Sequence, residues 1–456
     1  MFTEDFKTDP YWWDHAPLGT VQDSAEAPPA RADVVVIGSG YAGLHAAIVL
    51  ARAGVDVVVL DAGALGFGAS SRNGGMVSGG VNVGKHVDLS PSEEQAMLGE
   101  ASLSYSWFED FIKTEKIDAD YQRTGRFVGA HCAKAWDMLT GRMKGLNEIA
   151  DSGAYMVPPD QTRSEIGSDY YHGGMVLERS GAVHPGKLHT GVLRVARDAG
   201  VRLFGNVRAG AIARTSAGAL RVEISRDHAG DNGRDNGVHQ SGYQGHVTAD
   251  KIIIATNGYT GNLSPWHQRR LVPIASYQIA TEELGREKIT ELFPRHRMIA
   301  DTKRLLYYFR PSPDRKRILF GGRARYLRHD PVAGAGHLRR KLIGVFPELA
   351  DIRLSHGWWG YVSYLRDGVP NLGESQPDTL PGVYHALGCH GSGVVMMSWI
   401  GYRTGMLVAG MANSQSAFSG KKLKSFPAYQ GWPWFLPAIG AYYNLRDWAE
   451  MRFARK

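Results

Sequence analysis

The sequence predicts an α/β (α+β) fold that opens with a Rossmann-like nucleotide unit and continues into a second domain or an elaboration of the first. Three observations carry this. Residues Asp33 to Asp61, "DVVVIGSGYAGLHAAIVLARAGVDVVVLD", have the pattern of strand, glycine turn, helix and strand within one unit of about 30 residues. A glycine-rich run, "AGALGFGASSRNGGMVSGG", follows the second strand at once. At 456 residues, the chain is too long for one compact core.

Composition narrows the class. Hydrophobic residues at 43% and charged residues at 21% exclude wholesale disorder, and no apolar run is long enough to cross a bilayer. The start, "MFTEDFKTDPYWWDHAPLGT", has neither a basic region nor an apolar one, so no secretory signal is visible and a cytoplasmic protein is expected. Two cysteines, Cys132 and Cys389, make neither a disulfide framework nor a CxxC pair. The net charge of +7 suits nucleic acid, an anionic membrane or anionic small molecules, and does not choose among them. The histidines are scattered without ligand spacing, so no metal site is expected.

In the first unit Gly38, Gly40 and Gly43 form GxGxxG. The first glycine permits the turn, the second admits a pyrophosphate to the backbone, and the third lets the helix pack on the strand. The helix N-terminus at Tyr41 and Ala42 then faces the phosphates. Asp61, followed by Ala62, ends the second strand where an acid takes ribose hydroxyls. The stretch "GASSRNGGM" (Gly68, Ala69, Ser70, Ser71, Arg72, Asn73, Gly74, Gly75, Met76) suits neither helix, strand nor core. It is expected to lie along an extended cofactor.

Three further segments follow: "KIIIATNGYT", "WWGYVSYLRDGVPNLGE" and "GCHGSGVVMMSWIGYRTGMLVAG". Together with the opening unit and GASSRNGG, they resemble the D-amino-acid oxidase/glycine oxidase superfamily of FAD enzymes, and in particular its γ-glutamylputrescine oxidase-like branch. The matches span residues 30 to 410 in the family's order. The resemblance implies a Rossmann-like FAD-binding domain (31–80, 155–260 and 351–410) interleaved with a sheet-rich substrate domain (81–154 and 261–350). An N-terminal arm (1–30) and a C-terminal tail (411–456) flank them.

The same resemblance implies further FAD contacts at Val207, Thr256, Asn257, Gly258, Gly360, Gly391, Ser392, Gly393, Val394 and Val395. The late glycines lead into a run with helical apolar spacing, which offers a helix N-terminus to the flavin pyrimidine edge. Noncovalent FAD is expected, with Cys389 a small buried residue. Arg72 and Asn73 would stand beside the flavin and His390 would line the same cavity, making these three the candidate catalytic residues.

Within the expected substrate domain, "EQAMLGEASLSYSWFEDFIKTEKI" has a helical pattern, and "PSPD" in "YYFRPSPDRKRILFGG" is a turn between two strands. Tyr308 and Arg310 then share one strand face; if that face lines the pocket they can hold a polar or acidic substrate group, with a solvated surface position for Arg310 as the competing reading. Tyr259, Trp359 and Tyr361 complete the expected substrate wall, with aromatic packing as the competing explanation. "GVRLFGNVRAGAIART" has the pattern of a strand pair, and a polar loop within "RVEISRDHAGDNGRDNGVHQSGYQGHVTADKIIIAT" that of a long exposed hairpin. One departure stands out. Amino-acid oxidases of the superfamily often carry G-x-R-P after W-x-G, whereas Gly360, Tyr361, Val362 and Ser363 stand here. The arginine clamp for an α-carboxylate is absent at that position, which favours an amine whose acidic group lies farther away or is held elsewhere.

The function implied is oxidation of the C–N bond of a small amine or amino acid: hydride transfer to flavin N5, imine hydrolysis, and reoxidation by O2 to give H2O2. Two alternatives accompany it. A dehydrogenase passing electrons to a quinone or protein acceptor is motivated by the tail, "KKLKSFPAYQGWPWFLPAIGAYYNLRDWAEMRFARK", whose basic, aromatic and amphipathic parts suit peripheral membrane contact as well as docking on the enzyme body. A tRNA-modifying flavin enzyme is disfavoured, because no RNA-binding module or dense basic stripe is present and no nucleic-acid partner is expected.

Overall fold

Continuous apolar runs make parallel strands that are covered on both faces, while alternating runs make a sheet with two distinct faces. The computed structural model contains one of each. It describes residues 1–21, 27–79, 89–226, 243–327, 329–375 and 380–453. In the first sheet Arg31–Ile37 lies parallel to Val57–Leu60 on one side and to the long strand Tyr243–Ile254 on the other. Arg202–Phe204 extends it beyond Val57–Leu60, and Leu220–Arg226 with Arg208–Arg214 extend it beyond Tyr243–Ile254. Val383–Leu387 also pairs with Tyr243–Ile254, and Asn371–Glu374 with Val383–Leu387.

The segment 201–215 thus forms two strands that do not pair with each other: Arg202–Phe204 joins Val57–Leu60, and Arg208–Arg214 joins Leu220–Arg226. Strand period specifies a face, not a partner. The expected hairpin loop (227–242) and the last three residues lie outside the described residues.

The second sheet runs in the order Phe2–Lys7, Leu354–Leu365, Leu271–Thr281, Ile318–Gly322, Tyr308–Pro311, Met298–Asp301, Arg126–Gly129, Gly174–Leu177 and Ala154–Val157. Three of these strands depart from the expected boundaries. Ala154–Val157, Gly174–Leu177 and Leu354–Leu365 fall in stretches assigned to the nucleotide domain yet build this sheet, and Phe2–Lys7 of the arm forms its edge. Short apolar strands of equal period carry no mark of the sheet they join.

The helix Pro331–Val345 covers one face of this sheet, where Tyr277, Ile279, Phe309 and Phe320 form an apolar core with Leu338 and Leu342. The opposite face turns toward residues 72–75 and carries the site. The tail ends in a helix, Leu436–Phe453, docked on the body. Tyr429 Oη donates to the Leu271 carbonyl at 3.0 Å, and Arg304 Nη1 donates to Asp447 at 3.0 Å and Glu450 at 2.9 Å. His131, Asp447 and Glu450 converge there, with Arg304 pairing both carboxylates.

Candidate active site

The glycine turn is built for close approach. Gly38 has φ +108°, and a Cβ there would stand 2.8 Å from the Ala255 carbonyl oxygen; one on Gly40 would stand 3.1 Å from Ser70 Oγ. The helix Tyr41–Arg52 begins without a side-chain cap on Gly40, but Ser70 Oγ accepts from the Tyr41 N–H at 3.0 Å. Asp61 accepts from the Ser39 N–H at 2.8 Å and the Gly63 N–H at 3.0 Å, which fixes its carboxylate beside the turn with Ala62 exposed next to it. Val207 donates its N–H to the Asp61 carbonyl at 2.8 Å and so lies against the same acid.

The stretch Gly68–Met76 is a hub. Ser71 Oγ donates to the Gly66 carbonyl and accepts from Trp13 Nε1 at 2.9 Å. The Arg72 carbonyl accepts from Gln278 Nε2 and Trp358 Nε1, both at 2.8 Å. The Asn73 carbonyl accepts from Trp12 Nε1 at 2.8 Å. The Asn73 side chain donates to the Ala69 and Ser70 carbonyls at 3.2 and 2.8 Å and accepts from the Gly75 N–H at 2.8 Å, so its amide shapes the loop rather than reaching outward. Met76 starts a short strand paired with Ser180–Ala182.

Both arginines of the expected site hold carbonyl groups distant in sequence. Arg72 Nη1 donates to the Trp359 carbonyl at 3.0 Å, and its guanidinium lies over Phe67 at 4.5 Å and Trp13 at 4.8 Å. Its Nε is buried without a partner. Arg310 is buried, and its Nη1 donates to the Val183 carbonyl at 2.7 Å. Burial pushes the Arg310 guanidinium down to about 10. Both cations fasten backbone carbonyls.

Strand register settles the faces. Gln278 opposes Trp358 and Gly321, Ser276 opposes Gly360, and Tyr308 opposes Gly321, so these residues share one face. A Cβ on Gly74 would lie 2.9 Å from the Tyr308 ring, and one on Gly360 2.9 Å from Arg72 Cδ. This is therefore the face turned to the loop. Ser276 Oγ and Tyr308 Oη lie 2.9 Å apart on it. Trp359 and Tyr361 belong to the other face, where both rings pack on His329, at 4.5 and 5.4 Å. Alternation predicts that residues two apart share a face without saying which face meets the ligand. Tyr259 stays 39% exposed at the strand's rim, where its hydroxyl accepts from the Tyr361 N–H at 3.3 Å.

The late loop closes the far end. Asn257 Oδ1 accepts from Ser363 Oγ and from the Gly388 N–H, the latter at 3.0 Å, tying the Thr256–Gly258 turn to both neighbours. Ser363 donates its N–H to Cys389 Sγ at 3.4 Å, and the thiol is buried. His390 Nε2 accepts from the Leu365 N–H at 3.2 Å. Burial lowers the His390 imidazole to about 4, so it is a neutral acceptor holding the turn. After Gly391 and Ser392, the helix Gly393–Val408 begins uncapped, with Val394 and Val395 buried in its first turn.

That helix and Tyr41–Arg52 run in the same direction. Gly401 packs on Ala42 and Gly405 on Ala46, both against backbone that a side chain would strike. The register sets the N-terminus of the late helix roughly 10 Å ahead of the other at 1.5 Å per residue. Neither first turn contains an acid. Between the two ends runs a half-buried track of small residues and backbone through Gly38, Gly40, Asp61, Gly68–Gly74 and Thr256–Asn257.

Comparison with known proteins agrees with this geometry. A family model described as FAD dependent oxidoreductase (DAO) matches residues 33–406. The chain belongs to the DAO family of FAD-dependent oxidoreductases. It is 31% identical over 410 residues to a probable oxidoreductase OrdL of Rhizobium meliloti, covering 87% of each chain. It is 29% identical over 442 residues to the gamma-glutamylputrescine oxidoreductase of Escherichia coli, covering 95% of this chain and 96% of the relative. The crystal structure of glycine oxidase from Geobacillus kaustophilus superposes with a TM-score of 0.66 at 18% identity, covering 86% of this chain and 97% of that one. The residues present fit the family's cofactor. A glycine turn that a Cβ would fill and two acid-free helix N-termini, staggered along one track, suit a pyrophosphate at one end and an electron-rich ring at the other.

Two groups of site residues escaped the sequence. Trp12 and Trp13 brace the loop Gly68–Met76. Ser276 and Gln278 line the face with Tyr308, and their only signal was alternation along "ASYQIATEEL".

Proposed function

We propose that this DAO-family member oxidises the C–N bond of a small primary or secondary amine, with O2 as final electron acceptor and the imine product hydrolysing to a carbonyl compound. The observation that carries the reading is the sheet face between residues 72–75 and the late loop. It bears Tyr308, Ser276, Gln278, Gly360 and Val362, and, among the described residues there, no carboxylate, thiol or free imidazole. Such a wall orients and desolvates a substrate without providing a nucleophile. Bound noncovalently, FAD supplies the hydride acceptor. The Ser276 and Tyr308 hydroxyls offer hydrogen bonds to the amine, and Gly360 and Val362 leave room for the carbon beside it. Gly38, Gly40, Ser70 and Asp61 would hold the pyrophosphate and ribose, and the N-terminus of Gly393–Val408 the pyrimidine edge. Anaerobic addition of an amine panel while the visible flavin band is recorded tests this: bleaching by one amine class, reversed by air, supports it. Flavin that no amine bleaches overturns it.

A second reading has its own observation. Trp432, Trp434, Leu445, Trp448 and Phe453 on the tail are each more than half exposed, and Arg446 and Arg452 stack on Tyr442 and Trp448. Aromatic residues with flanking arginines suit a lipid interface and hence a quinone acceptor. No helix among the described residues is long and apolar enough to cross a membrane. Co-sedimentation with anionic vesicles, together with slow reoxidation by air and fast reoxidation by a soluble quinone, would favour this reading.

A further inference from the structure

The substrate face holds a third arginine whose fate differs from those of Arg72 and Arg310. Arg323 follows the strand Ile318–Gly322 and stays partly exposed. Gly321, two residues earlier, opposes both Tyr308 and Gln278, so alternation carries Arg323 to their face. Its Nη2 reaches past the intervening strand and donates to the Tyr364 hydroxyl at 3.0 Å. Among the described residues, no carboxylate makes an ion pair with it. Tyr364 packs edge-on against His390 of the late loop at 5.1 Å, which fixes the ring that holds the guanidinium.

Tyr364 lies one same-face step beyond Val362, where the arginine clamp is absent. Two residues of strand set the backbone of Tyr364, the residue that holds the cation, about 7 Å from that of Val362. A guanidinium held through one nitrogen by a hydroxyl keeps its remaining N–H groups for a planar, two-oxygen acceptor.

We propose that Arg323, oriented by Tyr364, binds a carboxylate carried by the substrate several bonds from the reacting carbon, in place of the clamp missing at Val362. This rests on the amine-oxidation reading. It names the substrate class as amines with a distal acid rather than α-amino acids.

The test uses the flavin-loaded enzyme and two unreactive probes, hexanoate and hexanamide, titrated against the visible flavin band. The native enzyme is expected to prefer the acid. Arg323→Gln should weaken hexanoate about ten- to a hundredfold and bring the acid-to-amide ratio near one. Arg323→Lys should recover part of the preference, and Tyr364→Phe should lose about tenfold. A native enzyme without preference for the acid, or a preference surviving in Arg323→Gln, overturns the proposal. Should Arg323→Gln fail to retain flavin, an unchanged ratio in Tyr364→Phe overturns it instead. Hexanoate binding that depends on Arg323, with no amine bleaching the flavin, would sink the amine reading and leave the anion site standing. Amine bleaching with an Arg323-independent ratio would do the reverse.

Discussion

Arg310 is fastened to Val183: its Nη1 donates to the Val183 carbonyl at 2.7 Å, while the Val183 N–H donates to the Gly75 carbonyl at 2.9 Å. The cation thus braces the loop Gly68–Met76 through Val183 and Gly75. Arg310→Met is expected to lower stability by about 1–3 kcal/mol, because a buried carbonyl loses its charged donor. The preference for acid over amide probes should survive. Urea unfolding and the hexanoate titration read the two effects separately, and a collapsed preference would reassign Arg310 to the ligand.

Asn73 joins three points of its own loop. Asn73→Ala removes both donors and the acceptor for Gly75, and should weaken flavin retention about tenfold or more. Asn73→Asp keeps the acceptor and should recover part of the loss. Flavin released on dialysis, followed by fluorescence, is the measurement; equal retention in all three proteins would remove Asn73 from the cradle.

Acid should strip the fold. Burial depresses His45, His184 and His390 to about 4 and His385 to about 3, below the ordinary 6.5. Above pH 6.5 both folded and unfolded forms are neutral. Between pH 6.5 and 4 only the unfolded chain takes up these protons, so stability falls on acidification, by about 1.4 kcal/mol per pH unit for each histidine. Melting temperature measured from pH 7.5 to 4.5 should drop steeply below 6.5. A flat profile there would show that these rings are not buried neutral.

Arg304→Ala removes the guanidinium that Asp447 and Glu450 share and should loosen the helix Leu436–Phe453. Chymotrypsin is expected to clip its exposed aromatic residues faster in the variant than in the native chain. Identical clipping would mean that Tyr429 and the apolar contacts hold the tail unaided.

Local features were legible in the sequence. The glycine spacing, the apolar strand runs and Asp61 place the nucleotide unit because each is decided within about 30 residues. The destination of each guanidinium was hidden. Arg72 ends on Trp359 and Arg310 on Val183, carbonyls far away in sequence, and no motif singles out Arg323. Trp359 and Tyr361 show the same limit, since their shared face was legible and its orientation was not.

Among the described residues, the outer edge of Leu354–Leu365 has a strand neighbour only as far as His356. Beyond it, Arg72 covers the Trp359 carbonyl and Tyr259 the Tyr361 N–H. A bare sheet edge is a template on which other chains add strands. The loop Gly68–Met76, whose Arg72 makes the first of these contacts, is therefore expected to guard the polypeptide against aggregation. A chain caught before Gly68–Met76 has settled carries an open invitation to self-association, and flavin supply during synthesis should govern how much of the protein is recovered soluble.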